Sequence, residues 1–169
     1  GFCVAHKSRN AQPQIALDYY NMKVDVLLGG GQQFFDSKLR EDKKDVYDLF
    51  RKAGYHVCTT KDEMRKAGKN QPTLGVFAED SLPYQVDRKN FPTEHANIPT
   101  LAEMTQQAID QMKNHPNGFA LQVESCKVDW AAHANDISAL IHEQLQFDEG
   151  IQAAMDFARQ DGETLVIIT

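Results

Sequence analysis

The feature that most constrains the fold is the stretch Phe119-Ala-Leu-Gln-Val-Glu-Ser-Cys-Lys-Val-Asp-Trp-Ala-Ala-His-Ala-Asn-Asp136. Its apolar-rich opening, residues 119–123, has the length and composition of a buried strand. The chain then releases Glu124, Asp129 and His133. Acidic groups just past the end of a strand fall where an open α/β sheet places its chemistry, in the crevice beyond the carboxyl ends. Asp129 and His133 stand four residues apart, so on a helix their side chains leave the same face. Spacing alone leaves two outcomes open. A carboxylate oxygen facing an imidazole nitrogen is a two-donor seat for zinc; the same pair in water is a weak ion pair. Glu124 offers only oxygen, which suits a harder ion such as magnesium.

The same alternation of strand and helix recurs along the chain. Apolar runs at 24–28, 55–59 and 73–77 read as strands, as do the two ends, 1–5 and 164–169. Pro13 opens a helix carrying Ile15, Ala16 and Tyr19, since proline suits a first helical turn. Val46, Leu49 and Phe50 mark a second helix that Gly54 ends, and 61–67 a short third one. Thr100 and Glu103 make a capping box ahead of an apolar stripe, Leu101, Met104, Ala108 and Met112. A longer helix from Ile137 would bury Leu140, Ile141, Phe147, Ile151, Ala154 and Ala158 along with Ile137 itself, ending before Asp161-Gly162. The pattern predicts an α/β fold: a three-layer sandwich with a mostly parallel sheet and helices on both faces. Gly29, Gly30 and Gly31 follow a strand, but no Gly-Lys-Ser/Thr comes after them. They read as a tight turn needing positive φ, not as a phosphate loop.

Composition narrows the partners. A net charge of −6 with no extended basic run argues against a nucleic-acid or anionic-membrane surface. No stretch approaches the ~20 apolar residues of a membrane span. Cys3, Cys58 and Cys126 are scattered and odd in number, which is neither a disulfide framework nor a zinc ribbon. Both ends lie inside apolar, strand-like runs, where natural domains rarely stop. The expectation is that residues 1–169 are an interior part of a single domain, with an irregular surface segment around 78–98.

Three motifs, in order, carry a resemblance that covers most of the chain. Glu124-x-x-Lys-Val-Asp-Trp-Ala-Ala-His-Ala-Asn-Asp136 resembles the metal-ligand segment of the alkaline phosphatase family. Val4-Ala-His-Lys-Ser-Arg9 resembles that family's Val-Ala-His-x-x-Ser-Arg, shorter by one residue. The runs at 24–31 and 74–77 are similar to its strands. The resemblance implies that Asp129 and His133 bind one of two zinc ions, that Glu124 binds magnesium, and that Arg9 grips substrate phosphate through its planar fork. Trp130, next to the zinc aspartate, would wall the phosphate site. It further implies hydrolysis of phosphate monoesters through a phosphoserine, a homodimer, and a periplasmic or extracellular location. No serine here sits in the family's nucleophile motif, so the nucleophile and the remaining metal ligands would lie outside this chain, and these residues alone would be inactive. Ala78 stands where some relatives place a calcium ligand, so calcium is not carried over. Ser125-Cys126 replaces the small pair usual after the magnesium acid. Two other readings share the fold or the ligands: a phosphodiesterase or sulfatase of the same superfamily, and a non-catalytic metal-binding relative.

Overall fold

The computed structural model describes residues 2–169, which form two compact units, up to Leu82 and from Pro83 onward. The first unit is built on a three-stranded parallel sheet, β1 (Val26–Gly29), β2 (His56–Cys58) and β3 (Thr73–Val76), in the order β1-β3-β2. Leu27 and Val57 both lie level with Leu74, so these three side chains share one face. Every residue of the central strand β3 is buried, as a strand covered on both faces must be.

Helices α1 (Gln12–Met22) and α2 (Val46–Lys52) fill the Leu74 face. Pro13 lies in the first turn of α1, one residue later than expected, where its missing N–H is not needed. Asp45 caps α2 by accepting from the Asp48 amide, and Gly54, at φ 89°, turns the chain towards β2. The core between them is aromatic. Phe50 is fully buried and meets Tyr20 and Tyr55 edge-on at 5.5 and 4.8 Å between centroids, while Phe35 stacks on Tyr47 at 5.7 Å. Such pairs prefer these offset and T-shaped geometries because of the ring quadrupole. On the opposite face Gly75 leaves no room for a side chain unless its neighbours shift, because a Cβ there would stand 2.4 Å from the Phe77 ring and 2.7 Å from Leu28.

Gly29 ends β1 in the ladder, and Gly30 and Gly31 make the turn that leaves it. Gly31 takes φ 98°, and a Cβ on Gly30 would fall 2.2 Å from the Asp80 carbonyl oxygen. The amides of Gly31 and Gln32 both donate to Ala78 O and that of Gln33 to Glu79 O. With its amides spent on the segment after β3, this loop has none of them left to cradle a phosphate.

The second unit is helical: α4 (Gln85–Asn90), α5 (Leu101–Met112), α6 (Cys126–His133) and α7 (Ile137–Asp161); α3 (Lys61–Met64) belongs to the first unit, beside β2. Both hydrogen bonds of the Thr100–Glu103 capping box are present. The burial pattern of α7 differs from the one expected. Leu140, Phe147, Ile151, Ala154 and Ala158 are half-buried as the stripe implies, whereas Ile137 and Ile141 are 67% and 53% exposed; the fully buried residues are Ala139, Glu143 and Gly150. Small residues let α5 approach closely, since a Cβ on Gly150 would touch the Leu101 side chain at 3.3 Å.

Three expected strands are not formed among the described residues. Residues 2–5, 119–123 and 164–169 are not in a ladder, and Gly1 lies outside the described residues. A strand exists only when a neighbour completes its hydrogen bonds, and apolar composition cannot supply that neighbour. The sheet of this α/β chain is therefore open, and its strands run parallel throughout.

Candidate metal and phosphate site

Helix α6 is the element that presents the candidate ligands. It packs along α7 through Ala131, which is wholly buried. Its end is set by three residues of the motif. Asn135 takes the left-handed conformation at φ 54°, the Asp136 amide donates to Ala131 O, and the Asp136 carboxylate accepts from the Ala139 amide to cap α7. Asparagine tolerates positive φ and aspartate is a preferred N-cap. Ala134-Asn135-Asp136 is thus a hinge between helices, and its residue types are explained by backbone geometry alone.

On the outer face of α6, Asp129 Oδ1 and His133 Nε2 lie 3.4 Å apart, with side chains 71% and 81% exposed. The helix does bring the pair together as the spacing predicted. Zinc–nitrogen and zinc–oxygen bonds of about 2.0–2.1 Å at a tetrahedral angle hold two donor atoms about 3.4 Å apart. Two ligands on one tetrahedral ion stand at this separation, as does an exposed Asp–His ion pair, so the geometry accommodates zinc as half of a four-ligand set. Among the described residues no third His, Cys, Asp or Glu joins them. Glu124 is exposed in the segment just before α6, which forms neither helix nor ladder strand.

Arg9 occupies the first unit, in the turn that leads into α1. Ser8 organises that turn: its hydroxyl accepts from the Asn10 amide and its carbonyl from the Ala11 amide. The guanidinium is exposed and makes no hydrogen bond or ion pair among the described residues, so its five donors stay available to an anion.

Trp130 is 43% exposed, and its ring lies 4.3 Å from the Lys127 ammonium, which also sits 4.2 Å from the ring of Tyr84. Sequence reasoning missed this clamp. The Lys127–Trp130 spacing of three was a legible helical contact, but nothing local announces Tyr84. The buried Glu143 was missed as well. Its carboxylate accepts from the Gln85 amide and from Gln146 Nε2, tying the start of α4 to α7.

The cysteines are chemically quiet. Burial, and then the charge of Glu63, push the Cys58 thiol up to about 12, and its Sγ donates to Leu74 O. Cys126 is exposed as a residue, yet partial desolvation and then the Glu124 carboxylate raise its thiol above the ordinary value. Among the described residues Cys126 joins no cluster of three or more metal-binding groups with the Asp129–His133 pair.

Comparison with known proteins decides the family. The family model for alkaline phosphatase matches residues 3–169. The chain belongs to the alkaline phosphatase family. It is 39% identical over 170 residues to alkaline phosphatase 4 of Bacillus subtilis, an alignment covering 97% of this chain and 34% of that protein. Among solved structures, Thermus thermophilus alkaline phosphatase superposes with a TM-score of 0.87 at 36% identity, over 93% of this chain and 32% of the other. A variant of TAB5 alkaline phosphatase, solved with Mg bound in its M3 site, superposes with a TM-score of 0.79 at 28% identity, over 96% of this chain and 44% of that one. The chain therefore spans about a third of the length of the curated relatives it matches. The chain is thus a member of an enzyme family with the expected α/β fold, and that family implies metal cofactors.

Proposed function

We propose that the protein to which this chain belongs hydrolyses phosphate monoesters at a site with two zinc ions and one magnesium ion, through a phosphoserine whose serine lies outside these residues. The observation that carries the reading is the 3.4 Å separation of Asp129 Oδ1 and His133 Nε2 on the exposed face of α6, in a chain whose family is established. On the same reading, residues 1–169 are the interior part of a single alkaline phosphatase-like domain. The resemblance extends to a homodimer in the periplasm or outside the cell. No helix among the described residues is long and apolar enough to cross a membrane.

Asp129 and His133 would hold zinc, and Glu124 magnesium. Bound there, divalent cations supply positive charge against the oxygens of a transferring phosphoryl group. Of the rest, this chain would supply ligand atoms, a phosphate grip and an apolar wall. His133 would bind through a ring nitrogen and Asp129 through a carboxylate oxygen. Arg9, exposed and unpaired, offers two parallel N–H donors to two non-bridging phosphate oxygens, a geometry lysine cannot reproduce. Trp130, next to Asp129 in sequence, would wall the phosphate site.

The test is metal content per subunit, with hydrolysis of p-nitrophenyl phosphate, for three variants of the full-length protein after dialysis. Asp129→Ala and His133→Ala are expected to lose zinc and activity together, without recovery in added magnesium. Glu124→Gln keeps an oxygen but drops a charge, so it is expected to keep its zinc, lose magnesium, and recover turnover in excess magnesium. Zinc loss from Glu124→Gln as complete as that from Asp129→Ala, or full zinc in His133→Ala, overturns the assignment.

A further inference from the structure

We propose that Lys127, held between the rings of Tyr84 and Trp130, is a positioning residue that orients Trp130 beside the Asp129–His133 pair and thereby sets affinity for phosphate; this rests on the phosphatase reading above. The ammonium lies 4.2 Å from the Tyr84 ring centroid and 4.3 Å from that of Trp130. Both separations are inside the range where a cation is drawn to an aromatic face. One cation shared by two rings fixes all three side chains at once, which matters for an indole that is otherwise 43% exposed.

Both walls of the clamp stand on anchored backbone. Tyr84 immediately precedes α4, whose first amide, Gln85, donates to the carboxylate of Glu143 on α7. Arg88 of the same helix donates to Pro99 O at 2.8 Å and Ile98 O at 2.6 Å. Trp130 stands on α6, which is seated on α7 by Ala131. Residues advance about 100° around a helix, so Trp130 lies about 60° from Lys127 on one side and about 60° from His133 on the other. The indole is therefore the physical link between the clamp and the face bearing the ligand pair. Removing the cation frees the ring at the place where it would border a bound phosphate, and takes a positive charge from the same rim.

Trp130 is the single tryptophan of the chain, which gives the inference a readout independent of turnover. In the full-length protein, Lys127→Met keeps the side-chain stem and removes the charge, Lys127→Arg keeps a cation able to lie on both rings, and Trp130→Phe isolates this indole's emission by difference. Lys127→Met is expected to increase acrylamide quenching of that difference emission. It should also raise KM for p-nitrophenyl phosphate and the inhibition constant of inorganic phosphate about two- to five-fold, the scale of one cation–π contact. Its kcat should change less than KM, and Lys127→Arg should restore both readouts. Tyr84→Leu removes one wall while leaving Lys127 in place, and is expected to act in the same direction to a smaller extent; it serves if Lys127→Met fails to fold. Wild-type quenching or wild-type phosphate inhibition in Lys127→Met, or an arginine variant as impaired as the methionine one, overturns the positioning role. A wild-type protein that does not hydrolyse the ester instead overturns the phosphatase reading on which the role depends.

Discussion

Residues 2–82 bury aromatic rings against a sheet, whereas residues 83–169 bury polar atoms among helices. In the first unit Val46, Phe50, Leu74 and Val76 are at most 2% exposed, and the buried Arg40 is fully engaged: two nitrogens meet Asp42 and a third reaches Pro13 O and Phe34 O. In the second unit the buried set mixes Met104, Ala108 and Ile109 with Thr105, Gln111 and Glu143, while Ile137, Ile141 and Leu145 stay more than half exposed. The contrast teaches where each unit's rigidity originates. Parallel strands with neighbours bury large apolar area; helices next to unpaired strand-like runs are held by directed hydrogen bonds and by small residues at close crossings.

The sharpest way to break this contrast is Phe50→Ala. It removes a fully buried ring from three aromatic contacts, so a loss of about 3–5 kcal/mol is expected in denaturant unfolding. A loss under half that would show the first core to be loosely packed.

Next in size is Arg9→Ala, which separates the first unit's stability from the phosphate-binding role proposed for Arg9. Phosphate inhibition should weaken by about 1.5–3 kcal/mol, roughly ten- to hundred-fold, with no change in melting temperature because the side chain is exposed. Unchanged inhibition removes Arg9 from the site. Gly75→Ala should cost about 1–3 kcal/mol by overpacking, since Phe77 and Leu28 already occupy the space of a Cβ. A neutral result would mean that the Phe77 ring swings away freely.

The smallest effects come from exposed positions. Ile141→Ser in the 169-residue chain should change stability by less than about 0.5 kcal/mol, because the side chain is 53% exposed; a larger loss would show that the face is covered. Asp42 carries a pH signature. The Arg40 hydrogen bond, chiefly, lowers its carboxyl from 3.8 to about 2. A depressed acid stabilises above its unfolded value, and that contribution disappears as pH falls through the folded one. Unfolding monitored between pH 4 and pH 2 should lose this stabilisation, and Asp42→Asn should flatten that part of the profile.

Local chemistry determined a great deal here. The strands around 26–29, 56–58 and 73–76, the Thr100–Glu103 box, the Gly31 turn and the facing of Asp129 and His133 all follow from propensity and helical spacing over a few residues. The family was legible for the same reason, since its motifs are short and contiguous. What only the tertiary structure decided depends on partners distant in sequence. The apolar run at 119–123 has no ladder neighbour, so composition alone could not make it a strand. Periodicity places Leu140, Phe147 and Ala154 on the half-buried side of α7, but it does not select which of its residues are covered completely: those are Ala139, Glu143 and Gly150. Tyr84 reaches Lys127, and Glu143 reaches Gln85, across stretches no periodicity spans. Spacing can specify which side chains leave one face of a helix; only packing selects what that face meets.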